Sequence, residues 1–287
     1  MAERVIKCKN ADGVTMTFTE RGFEPYLLVK ASGIYDVNNT IYQSNNTMMD
    51  GAEYQGSVMQ PRNIVLTLKE IDDFADNRDQ ISVLFDKGAP GTLTVLEEDH
   101  ERQIEYYVES ISTTATPNVR LTTVSLICPD PYFYDPYETV RYILDIQPHF
   151  EWPHNFLEEG EEFSFVNDAL IGAIDNETAD DHVGLTLIFT ALGTVVNPSI
   201  HKIQTNEKLK INKTIAFGDQ VIFTTTVGSK NVMMIHNGVI EEINHLLTDD
   251  SVFFQLTRGL NEFGVDADSG KSYLSAKISC RYKYLRA

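Results

Sequence analysis

Carboxylates are the side chains of this sequence that could most readily do chemistry. Nine occur between Glu158 and Asp181 with no Lys or Arg among them, a composition that could attract a divalent cation. Their spacing does not follow a calcium-binding loop, so a solvated connection is the simpler interpretation. The string DADSG, Asp266 to Gly270, begins like such a loop, but its glycine comes one position early and no glutamate follows at the required distance. We predict a turn there.

The histidines and hydroxyl side chains form no catalytic pattern. Seven histidines include no HxH, HxxxH or HExxH spacing, and no GxSxG elbow or phosphate loop of the GxxxxGK or GxGxxG kind is present. We therefore predict no enzyme activity, no catalytic residues, no cofactor and no metal ligands. Two other classes stay open: a carbohydrate-binding adhesin for host cell-wall glycans, and a β-sandwich hydrolase whose carboxylates leave no sequence motif.

Charge and cysteine usage narrow the choice of partners. The chain has 23 Lys and Arg against 42 Asp and Glu, and its net charge of -19 repels nucleic-acid phosphates and anionic lipid. We expect no sequence-specific nucleic-acid binding and no membrane association, since no apolar run approaches the length of a bilayer span. Three widely spaced cysteines without a CxxC motif favour a reducing compartment.

The elements that would position any site are mostly strands. Alternating apolar residues mark NIVLTLK, QIEYYVESIS and VRLTTVSLIC as strands. One helix is predicted over about 72–87, because Phe74, Ile81, Leu84 and Phe85 fall on one helical face before Gly88 and Pro90. The sequence thus predicts a mainly β fold with one helix.

The stretch CPDPYFYDPYE, Cys128 to Glu138, ends one of these strands. Its prolines cannot donate ladder hydrogen bonds, and each biases the preceding residue to extended geometry. We predict a domain hinge at Pro129, Pro131, Tyr132 and Phe133. The character of the sequence changes after it, so we place one domain at 1–138 and a second at 139–287.

The second half consists of short, evenly spaced strands, which favours a β-sandwich or jelly roll. Asn237-Gly238 predicts a two-residue hairpin turn. At the end of the chain, alternation from Leu274 to Tyr284 predicts one long amphipathic strand.

The segment IYDVNNTIYQSNNTMMDGAEYQG is polar, with little apolar periodicity, and predicts an extended loop or hairpin arm. Tyr35, Tyr42 and Tyr54 stand out in it as aromatic residues in polar sequence, so we predict them as subunit-interface candidates. Packing within the same chain is the alternative.

Several of these stretches together resemble a known family. They are GIYDVNNT followed by DGAEYQG, Arg62 before the strand NIVLTL, NRDQISVLFDKGAPGTLTV, CPDPYF, and in the second half NPSIHKIQTNEKLKIN and GDQVIFTTTVGSKNV. In this order they resemble the distal tail proteins (Dit) of siphovirus-type phages and prophages of Gram-positive bacteria, over nearly the whole chain.

The resemblance implies a non-enzymatic virion protein, assembled in the host bacterial cytoplasm and located in the phage tail. It implies an N-terminal β-barrel-like or split-barrel domain with one helix, which forms a homo-hexameric ring, single or stacked. The ring would join the tail tube protein to the tail tip, baseplate and tail-associated proteins, and DNA would pass through its channel. It also implies a C-terminal galectin-like β-sandwich, although this chain shows no sugar-binding galectin pattern.

Overall fold

The structure is a computed structural model, and it describes residues 4–21, 25–45, 50–71, 74–86, 88–116, 119–143, 146–148, 164–166, 171–177 and 182–287. The chain divides into two compact units. The first contains residues up to Pro136 together with Lys283–Ala287, and the second contains Tyr137–Tyr282. The division therefore follows Pro136, and the last five residues belong to the first unit, which the sequence-based assignment of 139–287 to one domain did not anticipate.

Within the residues that the structure describes, the first unit contains ten strands and one helix before the chain enters the second unit. They are Val5–Lys9 (β1), Thr15–Thr19 (β2), Tyr26–Ser32 (β3), Asn39–Ser44 (β4), Glu53–Met59 (β5), Arg62–Glu70 (β6), Phe74–Leu84 (α1), Gly91–Glu97 (β7), His100–Thr116 (β8), Val119–Cys128 (β9) and Phe133–Tyr134 (β10).

Seven of these strands form a closed barrel in the order β7-β1-β2-β3-β6-β9-β8. The 17-residue strand β8 closes it, because its first half pairs with β7 and its second half with β9. All the barrel pairings are antiparallel except β2 with β3. Closure leaves these strands without a free edge.

The apolar residues that alternate along β6 and β9 fill the barrel interior, as the sequence predicted. Ile64, Leu66 and Leu68 of β6 are fully buried, and so are Val124 and Leu126 of β9. A strand side chain alternates between faces, so the residues between them face outward. The β strands proposed from NIVLTLK and VRLTTVSLIC are confirmed.

The predicted helix is confirmed within narrower bounds. It spans Phe74–Leu84, and the amide of Phe85 continues its hydrogen bonding to the carbonyl of Ile81. Ile81, Leu84 and Phe85 are buried, as their helical spacing required. The Phe85 ring packs against Phe18, with ring centroids 6.3 Å apart. Residues 72, 73 and 87 and the side chain of Phe74 lie outside the described part of the chain.

Strands β4 and β5 form an antiparallel hairpin that is a separate two-stranded sheet. The hairpin arm predicted from the polar sequence around Tyr42 is therefore confirmed. We call residues 39–59 the arm; its tip, residues 46–49, is outside the described residues.

The second unit contains fourteen described strands and two 3-10 turns, Asn244–Leu246 and Lys271–Tyr273. Its strands are Thr139–Ile143 (β11), Ile146–Pro148 (β12), Ser164–Val166 (β13), Ile171–Asn176 (β14), Thr186–Ala191 (β15), Val195–Val196 (β16), Ser199–Lys202 (β17), Glu207–Lys210 (β18), Thr214–Ile215 (β19), Gln220–Thr224 (β20), Asn231–His236 (β21), Val239–Glu242 (β22), Gly259–Asp266 (β23) and Leu274–Cys280 (β24).

Two larger sheets organise this unit. One has six strands in the order β11-β24-β15-β20-β21-β22, and the other has four in the order β14-β23-β17-β18. Each buries alternate residues, such as Phe189 and Phe223 in the first sheet and Ile200 and Phe263 in the second. The hairpin at Asn237-Gly238 is confirmed: both residues have positive φ, and His236 pairs with Val239 across the turn.

The single long strand predicted from Leu274 to Tyr284 is wrong. Strand β24 ends at Cys280, and a separate strand, Lys283–Tyr284 (β25), pairs with β10 in the sheet of the first unit. The alternating pattern continues through both segments, so periodicity cannot reveal that the partner strands change at Arg281 and Tyr282. Among the described residues, no helix is long and apolar enough to cross a membrane.

Candidate functional site

Arg62 lies at the start of β6, and its side chain joins several distant segments of the first unit. The residue is 4% exposed. It donates to five backbone carbonyl oxygens: those of Gly33 (2.7 Å), Ile34 (3.1 Å), Asp36 (2.6 Å), Pro131 (2.9 Å) and Leu285 (2.5 Å). These acceptors come from three segments that are far apart in sequence.

The chemistry of this site is that of a structural anchor. Nη1 of Arg62 shares two N–H groups among the carbonyls of residues 33, 34 and 36, while Nε donates to Pro131 and Nη2 to Leu285. Burial lowers the pKa of Arg62, while the nearby Cys128 and Asp36 raise it, and the group stays charged at any physiological pH. Its cation also lies 5.1 Å from the centroid of the Phe133 ring. Arg62 therefore holds three segments of backbone together.

The predicted hinge residues lie beside this anchor. The carbonyl of Pro131 accepts from Arg62, and Phe133 is fully buried and pairs with Tyr284. The Asp130 carboxylate accepts from the Tyr132 amide and, at 2.6 Å, from the Tyr134 hydroxyl. The segment is thus fixed to the first unit, and the chain passes into the second unit after Pro136.

The C-terminal residues complete this arrangement, and the sequence analysis missed them. Arg102 lies 3.9 Å from the Tyr284 ring centroid and donates to the Arg286 carbonyl at 2.5 Å. The Tyr284 hydroxyl donates to Asp135, and Lys283 lies 4.3 Å from the ring centroid of Tyr132. We call Lys283–Ala287 the C-terminal clasp. The available signal in the sequence is Tyr284 between Lys283 and Arg286, but the alternating pattern assigns this residue to the strand that begins at Leu274.

The structure separates the three interface candidates. Tyr35 precedes the arm, and its hydroxyl donates to the Glu97 carboxylate at 2.5 Å. Burial, and then this hydrogen bond, raise the pKa of Tyr35. Tyr35 therefore has a partner within its own chain, in line with the intramolecular alternative. Tyr42 and Tyr54 both lie on the arm, with 54% and 65% of their surface exposed.

A β-bulge between Tyr42 and Gln43 places the two arm tyrosines on opposite faces of the hairpin. Tyr42 shares its face with Val58, and Tyr54 lies on the face of Ile41 and donates to Ser57. Ile41 and Val58 are 62% and 55% exposed. The arm thus exposes one tyrosine and one aliphatic residue on each face.

A polar cleft of about 150 Å³ lies at the root of the arm. Its walls are formed by Ser32, Gly33, Asp36, Asn38, Met59, Gln60, Pro61, Arg62, Asn63 and Pro131. The backbone closes tightly here: Gly33 has φ of +86°, and a Cβ at this position would lie 1.9 Å from the carbonyl oxygen of Asn63. Glycine is therefore required at residue 33.

The candidate cation sites do not assemble. In DADSG, the Asp268 carboxylate accepts from Lys210 and Asn197, and these bonds lower its pKa. Gly270 has a left-handed φ of 75°, so the predicted turn is confirmed. Within the described residues no group of three or more His, Cys, Asp or Glu could hold a metal ion. Most of the acidic segment, residues 158–163, 167–170 and 178–181, lies outside them.

The cysteines are buried thiols. Cys8, Cys128 and Cys280 are thiols rather than disulfides, and all three are buried. Burial raises the pKa of Cys8, and it raises that of Cys128 to about 12. A protonated, inaccessible thiol is a poor nucleophile, so the structure supports packing roles for Cys8 and Cys128.

Comparison with known proteins yields structural relatives. No family model and no curated protein sequence matches the chain. The structure of SPP1 Dit, presented as a paradigm of the hub adsorption apparatus in phages that infect Gram-positive bacteria, matches with a TM-score of 0.67 and 13% identity, covering 98% of this chain and 99% of that one. A chain of the phage p2 baseplate in its activated conformation matches with a TM-score of 0.50 and 9% identity over 99% of both chains. The resemblance to phage distal tail proteins is thus confirmed at the level of the fold, which this chain shares with SPP1 Dit along nearly its whole length.

Proposed function

We propose that this chain is a distal tail hub protein. Its barrel units form a homo-hexameric ring, single or stacked, between the tail tube protein and the tail tip or baseplate, and DNA passes through the central channel. The two sheets of the second unit are the layers of a galectin-like sandwich to which tip proteins bind. The protein is not an enzyme; it is assembled in the host cytoplasm and resides in the virion tail.

The observation that carries this proposal is the arm, set in a fold shared with SPP1 Dit. A two-stranded hairpin has little stability on its own, and this one exposes apolar side chains on both faces. A neighbouring subunit would cover those faces, and Tyr is among the residues enriched at interfaces. A closed ring needs a head-to-tail contact of this kind, in which an arm meets a different surface of the next subunit.

The charge of the chain supports the conduit role. A net charge of -19 leaves the protein with little affinity for DNA phosphates, so a channel built from it would not retain DNA. The point at which the second unit departs from the ring would then be set by the predicted hinge, which consists of Pro129, Pro131, Tyr132 and Phe133.

The test is the solution mass of the full chain by light scattering, followed by negative-stain imaging of the same fraction. We expect six-fold rings. Tyr42→Ala/Tyr54→Ala should abolish the six-fold rings, because each exposed tyrosine would bury about 150 Å² or more at the ring contact. The matched control is Tyr137→Ala/Tyr273→Ala, which removes two exposed tyrosines of the second unit, 79% and 52% exposed.

Rings that persist in the arm variant would exclude the arm as the ring contact. A wild-type chain that stays monomeric, and binds cell-wall glycans in an array, would favour the adhesin alternative over the hub.

A further inference from the structure

The outer face of the six-stranded sheet in the second unit carries a cluster of aliphatic residues. In β15 and β20 the buried residues Leu187, Phe189, Val221 and Phe223 alternate with partly exposed ones, which face outward. Strand register aligns six outward positions in one row across the sheet: Tyr142, Lys277, Ile188, Ile222, Met233 and Glu242.

A second outward row adds to this surface. It contains Ser275, Thr190, Gln220, Ile235 and Ile240. Ile240 is 66% exposed. Five aliphatic side chains thus adjoin one another on a face that carries polar residues in an ordinary solvated sheet. We call these two rows the aliphatic face.

The four-stranded sheet of the same unit provides the contrast. Its outward positions include the polar or charged residues His201, Lys208, Lys210, Glu262 and Asp266. Its exposed apolar residues Ile171 and Leu260 lie about four residues apart along the sheet, with Glu262 between them, so they form no continuous patch. The aliphatic residues of the six-stranded sheet adjoin one another, which suits burial against protein.

The charge of the aliphatic face indicates which partner would bind to it. Lys277 and Glu242 are the charged residues of the two rows, and they lie towards opposite sides of the sheet. The aliphatic face is therefore neutral in a chain whose net charge is -19, so two copies meet with least repulsion there. A two-fold rotation about an axis between Ile188 and Ile222 brings Lys277 of one copy towards Glu242 of the other and places aliphatic residues against each other.

We propose that this face is a two-fold docking surface for a second copy of the chain. Five strand spacings by two residues give about 24 Å by 7 Å between Cα atoms, or about 400 Å² per copy with the side chains included. The total of about 800 Å² is the size of a weak, transient contact. We expect a dissociation constant of about 100 μM or weaker. This contact is separate from the proposed ring and does not depend on it.

The test is sedimentation equilibrium of the full chain across the concentration range around that constant. Ile222→Lys, which places an unpaired charge at the centre of the contact, should weaken dimerisation at least about tenfold. Ile171→Lys is the matched control: it is the same substitution at a 55% exposed position on the outer face of the four-stranded sheet. It should leave the constant within about threefold.

Charge reversal gives a second measurement that poor folding cannot imitate. Lys277→Glu alone should weaken the dimer about tenfold, and Lys277→Glu/Glu242→Lys should return it to within about threefold of wild type. The same series in the Tyr42→Ala/Tyr54→Ala background separates this contact from the ring, because that chain should lose hexamers and keep dimers. A chain that stays monomeric in that background overturns the proposal, as does a dimer indifferent to Ile222→Lys or unrescued by the double reversal.

Discussion

Replacing Arg62 is the sharpest test of how the first unit is held together. A hydrogen bond from a charged donor contributes about 1.5–3 kcal/mol. Five such bonds cannot simply be added, because folding also removes the guanidinium from water. Removing one member of a buried charged network costs about 3–5 kcal/mol. We therefore expect Arg62→Leu to lower the free energy of unfolding of the first unit by about 4 kcal/mol, a large part of the 5–15 kcal/mol typical of a domain.

Arg62→Lys refines the test, because an ammonium keeps the charge but has only three donors for five acceptors. We expect a loss of about 2 kcal/mol. Arg141→Leu is the control: Arg141 is exposed and donates to the carbonyl of its neighbour Val140, so its loss should stay within about 0.5 kcal/mol.

The assay is urea unfolding combined with hydrogen exchange read by mass spectrometry, because two units need not unfold as one transition. In Arg62→Leu, exchange should rise first in peptides that cover 33–36, 131–134 and 283–287, the segments that supply the carbonyls. A loss below about 1 kcal/mol with unchanged exchange would refute the reasoning, since it would mean that water satisfies these carbonyls equally well.

Three further outcomes follow from local geometry. Gly33→Ala should cost more than about 3 kcal/mol in urea unfolding, since its Cβ would collide with the Asn63 carbonyl, whereas Gly13→Ala, with similar positive φ and open space, should cost about 1 kcal/mol. Gly238→Ala should cost about 1 kcal/mol through strain in the turn after Asn237, with the midpoint of thermal unfolding as the readout. The three buried thiols should resist an aromatic disulfide reagent at pH 8 and react once the protein is unfolded. Burial keeps the reagent away from all three, and it holds the pKa of Cys8 and Cys128 above pH 8. Fast labelling of the native protein would contradict this.

The sequence predicts the arm but does not predict that Arg62 is an anchor. The arm was predictable because Tyr42 and Tyr54 stand in polar, turn-rich sequence, and that composition is a local property. Arg62 was noticed only as part of a family resemblance. Its partners lie 26 to 223 residues away along the chain, so no local pattern indicates that one guanidinium serves five carbonyls. The aliphatic face is equally nonlocal, because it exists only once six strands are in register.

The sequence by itself determined the strands, the helix and the turns, because side-chain periodicity, proline and glycine act within a few residues. The strands of Ile64 to Leu68 and Val124 to Leu126, the helix around Ile81 and the turn at Asn237 followed from that local chemistry. The tertiary structure decided which strand pairs with which. It divided the alternating run after Leu274 between two units and brought the C-terminal clasp to Arg62, because an edge strand pairs with whichever free edge the folded chain presents to it.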